Sequence, residues 1–346
     1  MKAVQVTGYG GIDKLEVVDI STPTPGKGEV LVKVRACAIN NTEIWMREGA
    51  YGTGEKSGWR PEGVQFPRIP GSDITGEIVG VGSNVSETVI GNNVVLFPFT
   101  SSGMEGYEHI SEDMSFIGSE YDGGYAEYVV WPLELCYDMP LPTYEESAVF
   151  SVSGLTAWHM VEQIHAKRGE TVVVTGANGG VGSLNVQIAS NVFGSKVIAI
   201  VGDMGLEGRM KELGATHVLS YKSPSLADEI VEVNGGPVDS VLDVVGDALF
   251  ATSINVLKNG GKFCISGSAG GQKTELDFRT VYLKHITLYG SVLGTRDEFK
   301  RMLDAITAGK IKPVIDRTYP LEKAGEAQTY FKNSGKLGKI LLLPEK

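Results

Sequence analysis

Apolar residues along this chain follow two rhythms. In the first part they alternate. Glu29 to Ala36 (EVLVKVRA) places apolar side chains at every second position over much of its length, the pattern of a half-buried strand. Met1 to Val6, Ile74 to Val81, Asn92 to Phe97 and Gly124 to Trp131 read as further strands, with turns such as Pro25-Gly26-Lys27-Gly28 between them. Asn41 to Glu48 reads as a short helix, and Tyr144 to Ile164 holds one or two more. Short strands with Gly and Pro turns imply a small β barrel or a strongly bent sheet. Two irregular stretches, Tyr51 to Pro67 and Pro98 to Glu120, interrupt them. Loops of that length are uncommon unless they have a job or are mobile.

In the second part, continuous apolar strands alternate with helical periods. Thr171 to Thr175 is a β-branched run suited to a parallel strand covered on both faces. Val181, Leu184, Ile188 and Val192 then recur at helical spacing. Lys196 to Val201, His217 to Leu219, Val238 to Val245, Gly261 to Ile265 and Ile286 to Gly290 read as the following strands. Helical segments are expected at Val181 to Phe193, Gly205 to Leu213, Ala227 to Val233 and Ala248 to Leu257. This alternation predicts an α/β fold with a doubly wound parallel sheet. Glu298 to Ala308 is a further amphipathic helix, and Gly338 to Pro344 a closing strand.

Between the first strand and helix of this part lies Ala177-Asn178-Gly179-Gly180-Val181-Gly182, just after Gly176. A diphosphate binds where free N–H groups at a helix start point outward. The backbone must approach the phosphate oxygens closely, and a Cβ would obstruct it. The strand before the turn and the apolar helix after it are the context that dinucleotide binding requires. The pattern argues against a nucleotide-hydrolase loop, because no Lys-Ser or Lys-Thr pair follows the last glycine. The second strand of such a unit ends near the adenosine ribose. There, Asp203 stands 21 residues after Gly182 (203 − 182). It reads either as a partner of the ribose 2′-hydroxyl, favouring NAD, or as a solvated loop aspartate.

Composition narrows the partners. The 346 residues suffice for two domains, and a net charge of −11 argues against nucleic acid and anionic membranes. The three cysteines, Cys37, Cys136 and Cys264, show no CxxC spacing, so neither a disulfide framework nor a cysteine-rich metal site is indicated. No apolar run is long enough for a signal peptide or a membrane span. A reducing, cytoplasmic protein is expected.

Several motifs together resemble a known superfamily. They are Ala38-Ile39-Asn40-Asn41-Thr42-Glu43 with Arg47 and Gly49, Pro70-Gly71-Ser72-Asp73 before Gly76, and Asp122 to Tyr128 (DGGYAEY). Gly154-Leu155-Thr156-Ala157, the glycine turn, Leu213-Gly214-Ala215 and Gly338-Lys339-Ile340 complete the set. The chain resembles a zinc-independent medium-chain dehydrogenase/reductase, close to the quinone oxidoreductase and ζ-crystallin branch. The resemblance implies a GroES-like, β-rich catalytic domain over residues 1–150, completed by 292–346, and a Rossmann domain over 151–291. It also implies a homodimer and a bound nicotinamide nucleotide that supplies the hydride chemistry.

At the places of the catalytic zinc ligands in the alcohol dehydrogenases, this chain has Asn40, Ser72 and Val152. Asn and Ser are poor zinc ligands and Val is none, so no metal is expected. The 98–120 lobe matches the position of a structural zinc loop but contains no cysteine. The branch usually prefers NADPH, using a Gly, a Lys and a Tyr around the 2′-phosphate. Gly202 and Tyr221 match two of these, while Leu206 takes the lysine position and Asp203 is nearby. NADP(H) is favoured on that ground and NAD(H) stays open, with Lys222 or Arg209 as substitute cations.

The reaction expected is hydride transfer to a small electrophilic acceptor, a quinone or an activated alkene or carbonyl. Without a Lewis acid, hydrogen-bond donors must stabilise the substrate oxygen. Asn40, Thr42 and Tyr51 are the candidate catalytic donors, and Trp45 a candidate wall of the substrate cleft. Each has a structural alternative, as a helix cap for Asn40 and Thr42 or as packing for Tyr51 and Trp45. The candidate cofactor contacts are Thr156, Ala177, Asn178, Gly179, Gly180, Val181, Gly182, Gly202, Asp203, Tyr221, Gly246, Ser266 and Gly267. Two rival functions remain: an alcohol dehydrogenase on small alcohols or aldehydes, and a non-catalytic NADPH-binding, crystallin-like protein.

Overall fold

The β-branched run at 171–175 forms a fully buried strand, Thr171–Val174, inside a six-stranded sheet. The computed structural model describes residues 1–51, 63–332 and 335–345. The sheet order is His217–Ser220, Lys196–Val201, Thr171–Val174, Val238–Asp243, Leu257–Ile265 and Thr287–Gly290, with every pairing parallel. The first strand in sequence is third in space, so the order reverses beside it, which is the arrangement of a doubly wound nucleotide-binding sheet. Helices connect the strands, because parallel neighbours require crossovers. One face of the core gathers Val173, Ile198, Val241, Phe250 and Phe263.

This unit comprises residues 153–312 and 334–338. The boundary expected at residue 292 therefore falls later. The helix Arg296–Thr307, which the sequence assigned to the catalytic domain, packs on the helix Ser153–Gln163. His159 Nδ1 lies 2.8 Å from Glu298 Oε1, and Arg301 Nη2 donates to Glu162 Oε2 at 2.9 Å.

The other unit comprises residues 1–152, 313–333 and 339–346. Its main sheet has seven strands. They run Ile315–Pro320, Lys339–Leu343, Glu29–Ala38, Asp73–Val81, Asn93–Leu96 and Cys136–Asp138, with Tyr128–Pro132 also paired to Glu29–Ala38. Glu29–Ala38 is the hub, and its even-numbered side chains from Val30 to Val34 are fully buried. A separate antiparallel pair joins Lys2–Val6 to Leu15–Asp19.

The expected elements are present, with differences that have physical reasons. Leu15–Asp19 was not recognised as a strand, because it is mostly solvent-facing and lacks a buried stripe. Leu257–Ile265 begins four residues earlier than the apolar run, through Lys258-Asn259-Gly260-Gly261. The helix expected over 181–193 starts at Gly180 and changes to a π turn at Ile188–Val192, where Ser190 Oγ bonds back to Val186 O at 2.8 Å. The helices Phe278–Leu283 and Ala324–Lys332 and the strand Ile315–Pro320 were also missed. Of the irregular 51–67 stretch, residues 52–62 lie outside the described residues. No helix among the described residues is long and apolar enough to cross a membrane.

Candidate functional site

In the nucleotide unit, the glycine turn is built by steric necessity. Gly176 has φ +55°, which a β-branched or bulky residue would not adopt. Ala177 stands where the glycine pattern usually begins; it is fully buried, and its N–H donates to Ile200 O at 3.1 Å. Gly179 is the N-cap of the helix Gly180–Gln187, which leaves the first N–H groups at Gly180 and Val181 without helical partners. At Gly182 a Cβ would meet Gly176 O at 2.2 Å, so only glycine lets helix and strand pack this closely. Asn178 differs from the others. Its side-chain amide donates to Lys336 O at 2.9 Å and its carbonyl accepts from Gly338 N at 2.9 Å. It fastens a neighbouring segment to the turn.

At the next strand end, Gly202, Asp203, Tyr221 and Lys222 come together. Tyr221 N donates to Val201 O, and a Cβ on Gly202 would lie 2.7 Å from the Tyr221 ring. Tyr221 is 49% exposed and Lys222 Nζ lies 5.9 Å from its ring centroid. Asp203 Oδ1 accepts from Gly205 N at 2.9 Å, so the aspartate caps the turn Met204–Leu206. Arg209 pairs with Glu212 instead.

The remaining cofactor candidates divide. Gly246 (φ +84°) follows the strand Val238–Asp243. Ser266 and Gly267 follow the next strand, where Ser266 N donates to Asp243 O at 2.9 Å. Thr156 is buried on the helix Ser153–Gln163. Sequence reasoning missed Asp243 and Thr175, which join these loops; the one signal was an acidic residue closing an apolar run just before Val244-Val245-Gly246.

The other unit holds a buried polar cluster. Asn40 and Glu43 form a capping box on the helix Asn41–Arg47, so the capping alternative for Asn40 is realised. Asn40 Nδ2 donates to Asp73 Oδ2 at 3.1 Å, and Ser72 Oγ donates to Glu43 Oε1 at 2.7 Å. Val152 N donates to Asp73 Oδ1. Into this cluster reaches Lys339, whose Nζ donates to Asn40 Oδ1 and lies 2.8 Å from Asp73 Oδ2. Burial pushes the Glu43 carboxyl above its ordinary value, against the hydrogen bond from Ser72. Lys339 and Glu43 stand in the sequence only as members of motifs and not as site candidates, because their partners are distant in sequence or resemble ordinary helix residues.

These residues do not fit a zinc ion. The side chains at the three positions offer an amide, a hydroxyl and a hydrocarbon, and an ammonium already neutralises the neighbouring carboxylate. Among the described residues no three His, Cys, Asp or Glu side chains converge as a metal site. Beside the cluster, Thr42 Oγ1 and Tyr51 Oη are 2.9 Å apart, and the Trp45 ring meets Tyr51 edge-on at 6.2 Å. Burial pushes the Tyr51 phenol up to about 12, outweighing the hydrogen bond from Thr42.

A six-stranded parallel sheet with this turn, in a chain that also carries a separate β-rich unit, defines a nucleotide-dependent oxidoreductase. A family model described as an alcohol dehydrogenase GroES-like domain matches residues 26–141, and one described as a zinc-binding dehydrogenase matches residues 180–308. The chain belongs to the medium-chain dehydrogenase/reductase superfamily. It is 30% identical over 355 residues to the NAD-dependent alcohol dehydrogenase of Sulfurisphaera tokodaii, covering 99% of this chain and 100% of that protein. It is 31% identical to the quinone oxidoreductase of Homo sapiens, over 99% and 98% of the two chains. The crystal structure of a candidate alcohol dehydrogenase from Sinorhizobium meliloti 1021 superposes with a TM-score of 0.94 at 39% identity, covering 100% and 97%. The zinc-binding description attaches to residues 180–308, which include none of Asn40, Ser72 and Val152.

Proposed function

We propose that this chain transfers hydride from NADPH to a small electrophilic acceptor, a quinone or an activated alkene or carbonyl, without zinc. The observation that carries this reading is the Lys339 ammonium bonded to Asn40 and Asp73 at a place whose donors do not suit a metal. Acceptors that are already electrophilic need no Lewis acid.

A bound nicotinamide nucleotide would supply the hydride. Gly179, Gly180, Val181 and Gly182 would hold its diphosphate on the helix start. Tyr221 and Lys222 would receive a 2′-phosphate, with Lys222 offsetting the Asp203 carboxylate. Thr156, Gly246, Ser266 and Gly267 would border the nicotinamide half. At the acceptor, the Thr42–Tyr51 pair offers a hydroxyl donor to the oxygen on which negative charge grows. Tyr51 keeps its proton at neutral pH, since burial holds its phenol at about 12. Asn40 acts chiefly by capping its helix and orienting the cluster, and Trp45 forms a wall.

We also propose a homodimer. The strand Thr287–Gly290 ends its sheet, and around it Phe278, Tyr282 and Leu283 are 74%, 60% and 66% exposed. An edge strand beside such apolar surface invites pairing with a second copy.

The deciding experiment is an acceptor screen with NADPH and NADH in parallel, together with metal analysis of the purified protein. Oxidation of NADPH by quinones or enones at negligible zinc content is expected. Stoichiometric zinc with oxidation of small alcohols would establish the alcohol dehydrogenase reading instead. Tight NADPH binding without turnover of any acceptor would favour the crystallin-like one.

A further inference from the structure

Asp243 closes the strand Val238–Asp243 and is fully buried. Its Oδ1 accepts from the Thr175 hydroxyl and, at 3.2 Å, from Val245 N; its Oδ2 accepts from Gly246 N at 2.8 Å. Thr175, itself 2% exposed, accepts in turn from Val244 N at 3.3 Å. The main chain adds Thr175 N to Leu242 O at 3.0 Å and Ser266 N to Asp243 O at 2.9 Å. The carboxylate and the hydroxyl thus tie the ends of two adjacent strands together, and the Asp243 carbonyl holds the end of the third through Ser266 N.

The loops held this way are tightly constrained. A Cβ on Gly246 would lie 2.4 Å from Gly271 O, and one on Gly267 would lie 2.9 Å from Val244 O. A Cβ on Gly176 would meet the Val244 side chain at 2.9 Å. The 244–246 segment is therefore the common neighbour of the glycine turn, through the Val244 side chain, and of the loop after the next strand, through its main chain. Burying a carboxylate in such a place is costly, and a well-packed apolar pair would serve stability as well or better. What an apolar pair would not do is hold the Val245 and Gly246 N–H groups at one orientation.

We propose that Asp243, with Thr175, is a positioning residue for the nicotinamide half of the cofactor, acting through the 244–246 and 266–271 loops. This rests on the dinucleotide reading above. Neither residue is expected to touch the cofactor. The adenosine half is bound elsewhere, at the helix start and beside Gly202 and Tyr221, so the brace acts on one half of the ligand and not on the other.

The test compares NADPH with 2′-phospho-ADP-ribose, which lacks the nicotinamide, by fluorescence or calorimetric titration of the full chain. Asp243→Asn puts an amide N–H among N–H donors, and Thr175→Val removes the hydroxyl at nearly constant volume. Each is expected to weaken NADPH binding about tenfold, the scale of one lost hydrogen bond to a charged group, while 2′-phospho-ADP-ribose binding changes less than about twofold. Thr175→Ser is expected to restore NADPH affinity to within about threefold of the parent. Equal weakening of both ligands, or of neither, would overturn the proposal, and Thr175→Val decides it even where Asp243→Asn does not fold. A parent protein that binds neither NADPH nor NADH nor their nicotinamide-free analogues would instead overturn the dinucleotide reading, and the brace with it.

Discussion

Lys339 Nζ lies 2.8 Å from Asp73 Oδ2, with side chains 3% and 0% exposed, although 266 positions (339 − 73) separate them in sequence. Breaking a buried ion pair from one side strands the other charge and costs about 3–5 kcal/mol. Lys339→Met is therefore expected to lower the urea midpoint strongly, and Lys339→Arg to lower it less. A Lys339→Met midpoint equal to the parent's would show that the pair contributes nothing to stability.

Metal removal should leave activity intact. Asn40, Ser72 and Val152 supply no zinc-binding set, so dialysis against a chelator is expected to leave NADPH oxidation unchanged. Loss of turnover on chelation, restored by zinc, would contradict this.

The cofactor preference is expected to follow Lys222 and Asp203. Removing the cation in Lys222→Ala should raise the KM for NADPH about fivefold or more and leave that for NADH nearly unchanged. Asp203→Ser should move NADPH in the opposite direction, by removing a repulsive carboxylate. Steady-state kinetics with both nucleotides would reveal any equal effect on the two, which would refute this assignment.

Tyr51→Phe removes the hydroxyl that lies 2.9 Å from Thr42 Oγ1. A fall in kcat of about tenfold or more is expected, within the range for lost proton or hydrogen-bond donation. Because burial holds this phenol at about 12, the parent's rate should show no limb from Tyr51 between pH 6 and about 10. If Thr42→Val and Tyr51→Phe act as one unit, the double variant should lose less than the sum of the two singles.

The His159–Glu298 contact predicts a stability profile. Burial alone would raise the Glu298 carboxyl, but its contacts with His159, Thr295 N and Glu162 together outweigh it and hold it below the ordinary 4.5. Since the folded value is the lower one, this contribution is complete above about pH 4.5 and is lost as the pH falls through the folded value. Glu298→Gln is expected to flatten the acid limb of a melting-temperature profile. An unchanged acid limb would mean that other carboxylates carry it.

The nucleotide unit was legible because its signals are local. Five β-branched residues at 171–175, a glycine turn and a helical apolar stripe are neighbours in sequence, and steric rules at Gly176 and Gly182 act over a few residues. The long-range features were not legible. Asn178 read as one more residue of the cradle, yet its amide bonds to Lys336. The boundary at 292 is what the resemblance implies, whereas the His159–Glu298 contact carries the next helix into the nucleotide unit. Leu15–Asp19 gave no period, because it pairs at a solvent-facing edge.

By itself the sequence determined the family, the two kinds of sheet and the steric core of the dinucleotide turn. Those depend on side-chain period, on glycines and on which donors exist at all, all properties of the chain before it folds. Only the tertiary structure decided which charges meet. It brought Lys339 to Asp73 and Asn40, and Thr175 to Asp243. An electrostatic contact depends on distance and burial, and both come into being only when distant segments close on one another.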